Sequence, residues 1–140
     1  MNSLFVAHKH YGSLLLVLIL AVIVVALTKG PKTVLQRIVA VLVDINLVVG
    51  IVAVFQVGSR NVSWLHPIFA LGAVGLLHAS AKSEDKAKVV RCFSIALLLL
   101  VAAWSVNASW GPSFFKDEKT GQPIFPIKSI PEAVQPASAK

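Results

Sequence analysis

Four histidines and one aspartate are the residues of this 140-residue sequence whose types and positions could carry chemistry: His8, His10, His66, His78 and Asp44. A neutral imidazole can bind a metal ion or a haem iron, and a carboxylate beside an imidazole can hold a proton. What these groups can do depends on the apolar segments that carry them. The chain is 56% hydrophobic and only 14% charged, whereas a soluble domain has about 25% charged residues. The composition therefore predicts a membrane protein.

Four apolar segments approach the length of a membrane-spanning helix, which is about 20 residues. We expect spans over about 11–28, 34–57, 64–80 and 91–110, separated by turn-forming or charged residues. Inside a bilayer every backbone polar group must be paired within the protein, which favours helices. The predicted fold class is all-α, a polytopic up-and-down bundle of four transmembrane helices. Residues 1–111 form this transmembrane domain, and 112–140 form an extended, Pro-rich extracytoplasmic tail.

Basic residues concentrate in the first and third loops, which lie on the same side of a four-helix bundle. They are Lys29, Lys32, Arg37, Lys82, Lys86, Lys88 and Arg91. The positive-inside rule places these loops in the cytoplasm and both termini outside. We expect an integral protein of a bacterial inner or energy-converting membrane. The net charge of +7 then reflects membrane orientation, and no nucleic-acid partner is expected.

The outer side of this bundle collects three of the four histidines. His8 and His10 precede the first expected span, and His66 opens the third one just before Pro67. Two imidazoles facing each other from neighbouring helices can serve as axial ligands of a b-type haem. We expect either His8 or His10 to pair with His66. A chlorophyll, another metal, or no ligand at all are the alternatives.

Asp44 lies inside the second apolar segment, where an isolated charge is unfavourable. We expect it to face the bundle interior, to pair with a base or to stay protonated. Arg37 and His78 are the candidate bases, and Asn46 is a candidate partner for a structural hydrogen bond. A proton relay or support of a cofactor would be the functional alternatives.

The tail combines prolines with apolar residues that are unusual in a solvated terminus: Phe114, Phe115, Ile124, Phe125, Ile127 and Ile130. Prolines disfavour regular helix and central strand. A flexible terminus and an extended arm that binds a partner protein are both consistent with this pattern. We expect the arm, with these six residues in the contact.

Three features together resemble small bacterial four-helix membrane proteins described as cytochrome-b-like. They are His8 with Gly12 in the first helix, Asp44 in the second, and Leu65-His66-Pro67 at the start of the third. The similarity covers about residues 5–108 and leaves out the tail. It implies a membrane haem protein or an electron-transfer subunit.

The expected function is therefore that of a small accessory subunit in a respiratory or photosynthetic electron-transfer assembly. Its partners would be the lipid bilayer and other membrane subunits, and its cofactor would be haem b. No catalytic motif is found in the sequence. A stand-alone proton-coupled transporter that uses Asp44 and His78, and a purely structural or assembly protein, are the alternatives.

Overall fold

The computed structural model describes residues 3–57, 62–108 and 112–125. Its helices are α1 (Ser3–Lys29), α2 (Thr33–Val57), α3 (Leu65–Ser80) and α4 (Lys86–Asn107), followed by a 3-10 turn at Ser113–Phe115. The predicted all-helical fold with four helices is confirmed. Helices α1, α2 and α4 are long and apolar enough to cross a membrane, whereas α3 has 16 residues and is shorter than a typical span.

Two helices begin earlier than the apolar runs indicate. Helix α1 begins at Ser3 and so includes His8 and His10, and α4 begins at Lys86, ahead of the expected start at Arg91. Backbone hydrogen bonds can extend a helix through polar residues as long as its first N–H groups find acceptors. Asp85 supplies such an acceptor, since its Oδ1 accepts a hydrogen bond from the Ala87 N–H at 2.9 Å.

The helices form a ring in which each packs on its neighbour in sequence and α1 also packs on α4. Their shared core is apolar and contains small as well as large side chains. Its fully buried members include Leu15, Ile19, Ala26, Val39, Ala73, Leu77, Val89, Phe93 and Ala96. Alanines alternating with larger residues let the helices approach closely, so that the bundle is held by packing along its length.

Polar contacts tie the two loops at the basic end of the bundle together. Gln36 is completely buried, and its amide nitrogen faces the backbone oxygens of Ser80 at 2.8 Å and Ser83 at 3.2 Å. Lys86 Nζ donates to the Leu27 carbonyl in the last turn of α1 at 2.7 Å. Carbonyls in the last turn of a helix have no partner within that helix, and Lys86 satisfies one of them at the end of α1. Gln36 instead joins the start of α2 to the end of α3 and to the loop that follows it.

Residues 112–125, the described part of the expected arm, form a turn. Asp117 accepts hydrogen bonds within the turn, and Gly121 adopts a φ of +65° that favours glycine. The turn packs on the start of α3 through Phe115, whose ring lies 6.3 Å from that of Phe69. The Trp64 N–H donates to the Phe125 carbonyl at 2.9 Å. Ile127 and Ile130 lie outside the described residues.

Asp117 is expected to make this turn sensitive to acid. Its Oδ1 accepts hydrogen bonds from the backbone N–H groups of Thr120 (3.0 Å) and Lys119 (2.8 Å), which lower the pKa of its carboxyl. The stabilisation is therefore present above the ordinary carboxyl pKa of about 3.9 and is lost as the pH falls through the lower folded-state value.

At neutral pH, Asp117→Ala should accelerate hydrogen exchange at the Thr120 and Gly121 amides without affecting the helices, as measured by mass spectrometry. In the wild-type protein these amides should lose their protection, measured as the exchange rate relative to the intrinsic rate at that pH, only in strong acid. Glu118→Ala is the control, because this exposed neighbour makes no comparable contact in the turn. Equal exchange in both variants would contradict the assignment.

Candidate functional site

His8 and His66 meet at the end of the bundle where α1 and α3 begin. Their ring centroids are 6.1 Å apart, and the ring planes are inclined at 74°. The consecutive helices run antiparallel, so the N-terminal part of α1 and the first turn of α3 lie at the same end. The structure thus brings together two of the three histidines that the sequence singles out.

The His8 ring is held by the second half of α2. Its Nδ1 lies 3.1 Å from the backbone carbonyl oxygen of Asn46, and a carbonyl can only accept, so Nδ1 carries the proton. The ring lies directly on Gly50, where an added Cβ would be 2.6 Å from His8 Cε1. Only glycine fits beneath this ring in its present position. Helix α2 therefore fixes both the position of the His8 ring and its tautomer.

The His66 ring is fixed in the same manner by α4. Its Nδ1 donates to the Ala103 carbonyl oxygen at 2.7 Å. Ser63, three residues before His66, is buried, and its backbone N–H donates to Asn107 Oδ1 at 3.0 Å. The Ser63 hydroxyl in turn donates to the Ile124 carbonyl. The first turn of α3 is thus anchored both to the end of α4 and to the tail.

Both hydrogen bonds engage Nδ1, so neither of them involves the Nε2 atom of His8 or His66. Neutral imidazole is the form that binds metals, and a hydrogen bond from the other ring nitrogen to a carbonyl is the usual support of such a ligand. Among the described residues no group of three or more histidine, cysteine, aspartate or glutamate side chains could hold a metal ion. At this end the described residues therefore bring together two imidazoles and no larger set of such side chains.

A buried acceptor beside the histidines has no partner among the described residues. Asn46 Oδ1 is inaccessible and makes no hydrogen bond within the described chain. The Asn46 amide nitrogen would lie 3.4 Å from a Cβ added at Gly12, which places this side chain between α1 and α2. Buried oxygens are almost always paired. The unpaired oxygen indicates that a donor, such as a bound water or ligand group, belongs to this region.

The third histidine expected at this end is not part of the pair. His10 is exposed on α1, and it is His8 that contacts the His66 ring. Of the two candidates for the first ligand, the geometry therefore favours His8.

Asp44 and His78 form a separate polar pair on α2 and α3. His78 Nε2 lies 2.8 Å from Asp44 Oδ2, and the two side chains are 50% and 38% exposed. Asp44 thus pairs with a base, but it faces outward rather than into the bundle. Arg37 is exposed, and Asn46 projects towards Gly12, so the structure does not bring Asn46 to Asp44 as a partner.

Several residues that build the site carry weak sequence signals. Gly50 is the only glycine in α2, and a lone glycine in an apolar helix points to a close approach, though not to the group that approaches. No sequence motif identifies Ser63 or Asn107 as residues of the site. The carbonyls of Asn46 and Ala103 cannot be selected from sequence, because every residue has one.

Gly50→Ala should displace the His8 ring, because the new methyl group would overlap it. We expect the thermal midpoint of the detergent-solubilised protein to fall, by the equivalent of about 1–3 kcal/mol of overpacking. Gly75→Ala is the matched control, since a Cβ at Gly75 has no neighbour within 4 Å. Equal thermal midpoints for the two variants would rule out close packing between Gly50 and His8.

Comparisons of this chain with protein-family models, with curated proteins and with solved structures found no match. Its function is therefore inferred from the arrangement of its own side chains. Among the described residues, two arrangements of side chains could carry chemistry. They are the His8–His66 imidazole pair and the outward-facing Asp44–His78 pair.

Proposed function

We propose that this chain is an integral membrane protein that binds b-type haem between His8 and His66 and serves as a small subunit of an electron-transfer assembly. The observation that carries the proposal is the pair of imidazoles 6.1 Å apart, each donating Nδ1–H to a backbone carbonyl. The membrane location and the binding of haem are supported by different observations.

The membrane location is supported by the apolar side chains on the outer surface of the helix bundle. Large aliphatic side chains project from every helix, including Val17 of α1, Val48 of α2, Leu71 of α3 and Leu98 of α4. In water such a surface would be strongly unfavourable, whereas in a bilayer it is the expected one. The basic residues at the loops of one end favour the orientation with these loops in the cytoplasm and the termini outside.

Haem fits the donor set better than a bare metal ion does. A structural zinc site takes four protein ligands, whereas a porphyrin supplies four nitrogens and leaves only two axial positions. Nitrogen–metal distances of about 2.0–2.1 Å place the centroids of two opposed imidazoles roughly 6 Å apart. The ring centroids of His8 and His66 have this separation, and their Nδ1–H bonds do not use Nε2.

The residues around the pair have defined tasks in this proposal. The Asn46 and Ala103 carbonyls hold the rings in the metal-binding tautomer and increase their basicity. Gly50 gives the His8 ring its space, and Ser63 fixes the turn that carries His66. Haem supplies one-electron redox chemistry when bound. Its potential would respond to these carbonyl contacts and to the apolar surroundings.

The role as a subunit of a larger respiratory or photosynthetic assembly is supported by the tail. Phe115 and Ile124 bind the turn to α3, whereas Phe114 and Phe125 point outward with 71% and 65% of their surface exposed. Exposed aromatic residues beside a redox site favour contact with another membrane subunit or with the bilayer interface. A purely structural role is the alternative if no haem binds.

Variants of the three outer histidines test the haem proposal. Protein expressed with ample haem should show a Soret band and a sharp reduced α-band. Both bands should be lost in His8→Ala and His66→Ala, because each removes one axial ligand, and both should persist in the matched control His10→Ala. Helical content measured by circular dichroism separates ligand loss from misfolding. A colourless, folded wild-type protein would refute haem binding, and loss of the bands in His10→Ala would refute the choice of His8.

Thiol labelling tests the orientation independently of the cofactor. In a Cys92→Ser background, a membrane-impermeant maleimide should label Ser113→Cys in sealed cells, whose outer surface is accessible. It should label Lys82→Cys only after permeabilisation, because Lys82 lies in a loop expected in the cytoplasm. The reverse labelling pattern would show that the protein has the opposite orientation in the membrane. Recovery of the protein in the soluble fraction would refute the membrane location.

A further inference from the structure

We propose that the outward face of α2 and α3 around Asp44 and His78 is the contact surface between two copies of this chain. This face, the polar-pair face, also comprises Val41, Val48, Leu71 and Gly75. The inference rests on the proposed membrane location, and it does not depend on haem. Its basis is the conflict between an exposed pair of ionisable side chains and the apolar surface around it.

The pair lies within an otherwise apolar surface. Val41 and Val48 lie one turn before and one turn after Asp44 on α2, and both are more than half exposed. Leu71, two turns before His78 on the same face of α3, is exposed to a similar extent. Ionisable side chains in membrane helices are unfavourable against lipid and almost always face protein or water. The Asp44–His78 pair is therefore expected to be covered by protein.

A second copy has the chemistry needed to cover it. His78 Nε2 and Asp44 Oδ2 bind each other, and no further hydrogen bond of these two side chains is found in the described part of the chain. When the pair is ionised, Nδ1–H of His78 remains as a donor and Oδ1 of Asp44 as an acceptor. A two-fold interface joins identical surfaces, so it requires self-complementary groups. One donor beside one acceptor meets this requirement.

The shape of the polar-pair face also suits a close approach. A Cβ added at Gly75 would meet nothing within 4 Å, so the surface has open space one turn before His78. Small residues at such positions allow the backbones of membrane helices to come close and to form hydrogen bonds across the interface. The copy of α3 on the facing subunit has the same space at its own Gly75.

The length of α3 favours association on the same side of the bundle. With 16 residues it is about 24 Å long at about 1.5 Å per residue, and the apolar core of a bilayer is about 30 Å thick. A helix too short for the bilayer is stabilised by oligomerisation, which replaces mismatched lipid by protein. The short helix and the exposed polar pair therefore favour the same interface.

Disulfide cross-linking in native membranes tests the proposal. In a Cys92→Ser background, Leu71→Cys should form a disulfide-linked dimer under mild oxidation, because residues near a two-fold axis face their own copies. The matched control is Val17→Cys, which is equally outward but lies on α1, a helix that packs mainly against α2 and α4. Failure of Leu71→Cys to cross-link, or equal cross-linking of Val17→Cys, would overturn the proposal. So would a cross-link from Leu71→Cys to a different protein.

Two further variants test whether the polar pair and the space at Gly75 stabilise the interface. The measurement is the dimer fraction in lipid nanodiscs or bicelles. Asp44→Asn combined with His78→Gln should weaken dimerisation about tenfold, because both copies lose their charge-assisted hydrogen bonds. Gly75→Leu should block close approach without disturbing the single chain, and Val17→Leu should leave the dimer unchanged. A wild-type chain that is monomeric at all concentrations would refute the interface. The haem spectrum does not enter these measurements, so the two proposals can fail separately.

Discussion

The hydrogen bonds from His8 Nδ1 and His66 Nδ1 to backbone carbonyls are the constraint on which the organisation of the site depends. A helix carbonyl is held at a fixed place by its own helix, so each bond fixes a ring relative to a neighbouring helix and not only relative to its own chain segment. It also assigns the proton to Nδ1, which leaves Nε2 available. Because α2 orients His8 and α4 orients His66, all four helices take part in placing two imidazoles.

The same logic explains where the remaining polar contacts lie. Helix ends leave carbonyl and N–H groups without partners, and these must be satisfied by side chains or water. At the basic end Gln36 and Lys86 contact such carbonyls, and at the histidine end Asn107 receives the Ser63 N–H. Between the two ends the helices are joined by apolar packing, with the Asp44–His78 pair as a polar contact between α2 and α3. The polar contacts therefore fix the relative height of the helices, and the apolar core holds them together.

The sequence was sufficient for the number and type of the elements but not for their relative rotation. Long apolar runs and the Gly30-Pro31 break predict helices because few other structures satisfy their backbones. The apolar runs predict the starts of α1 and α4 too late because hydropathy does not register polar helical turns, although Asp85 is a capping signal for α4. The outward direction of Asp44 and the contact of Gly50 with His8 depend on how α2 is rotated against its neighbours. That rotation is set by packing of the whole bundle, which no local pattern encodes.

The environment of each histidine decides its role, and residue type alone does not. His8 and His66 donate Nδ1–H to backbone carbonyls, which orient the rings and leave Nε2 outside these bonds. His78 instead binds the Asp44 carboxylate through Nε2, so that its ring is oriented by a side chain of α2. His10 is exposed on the same helix as His8, two residues away, where the helical period turns it to another side. The histidines proposed as cofactor ligands and the histidine proposed at an interface thus differ in the acceptor that each imidazole meets.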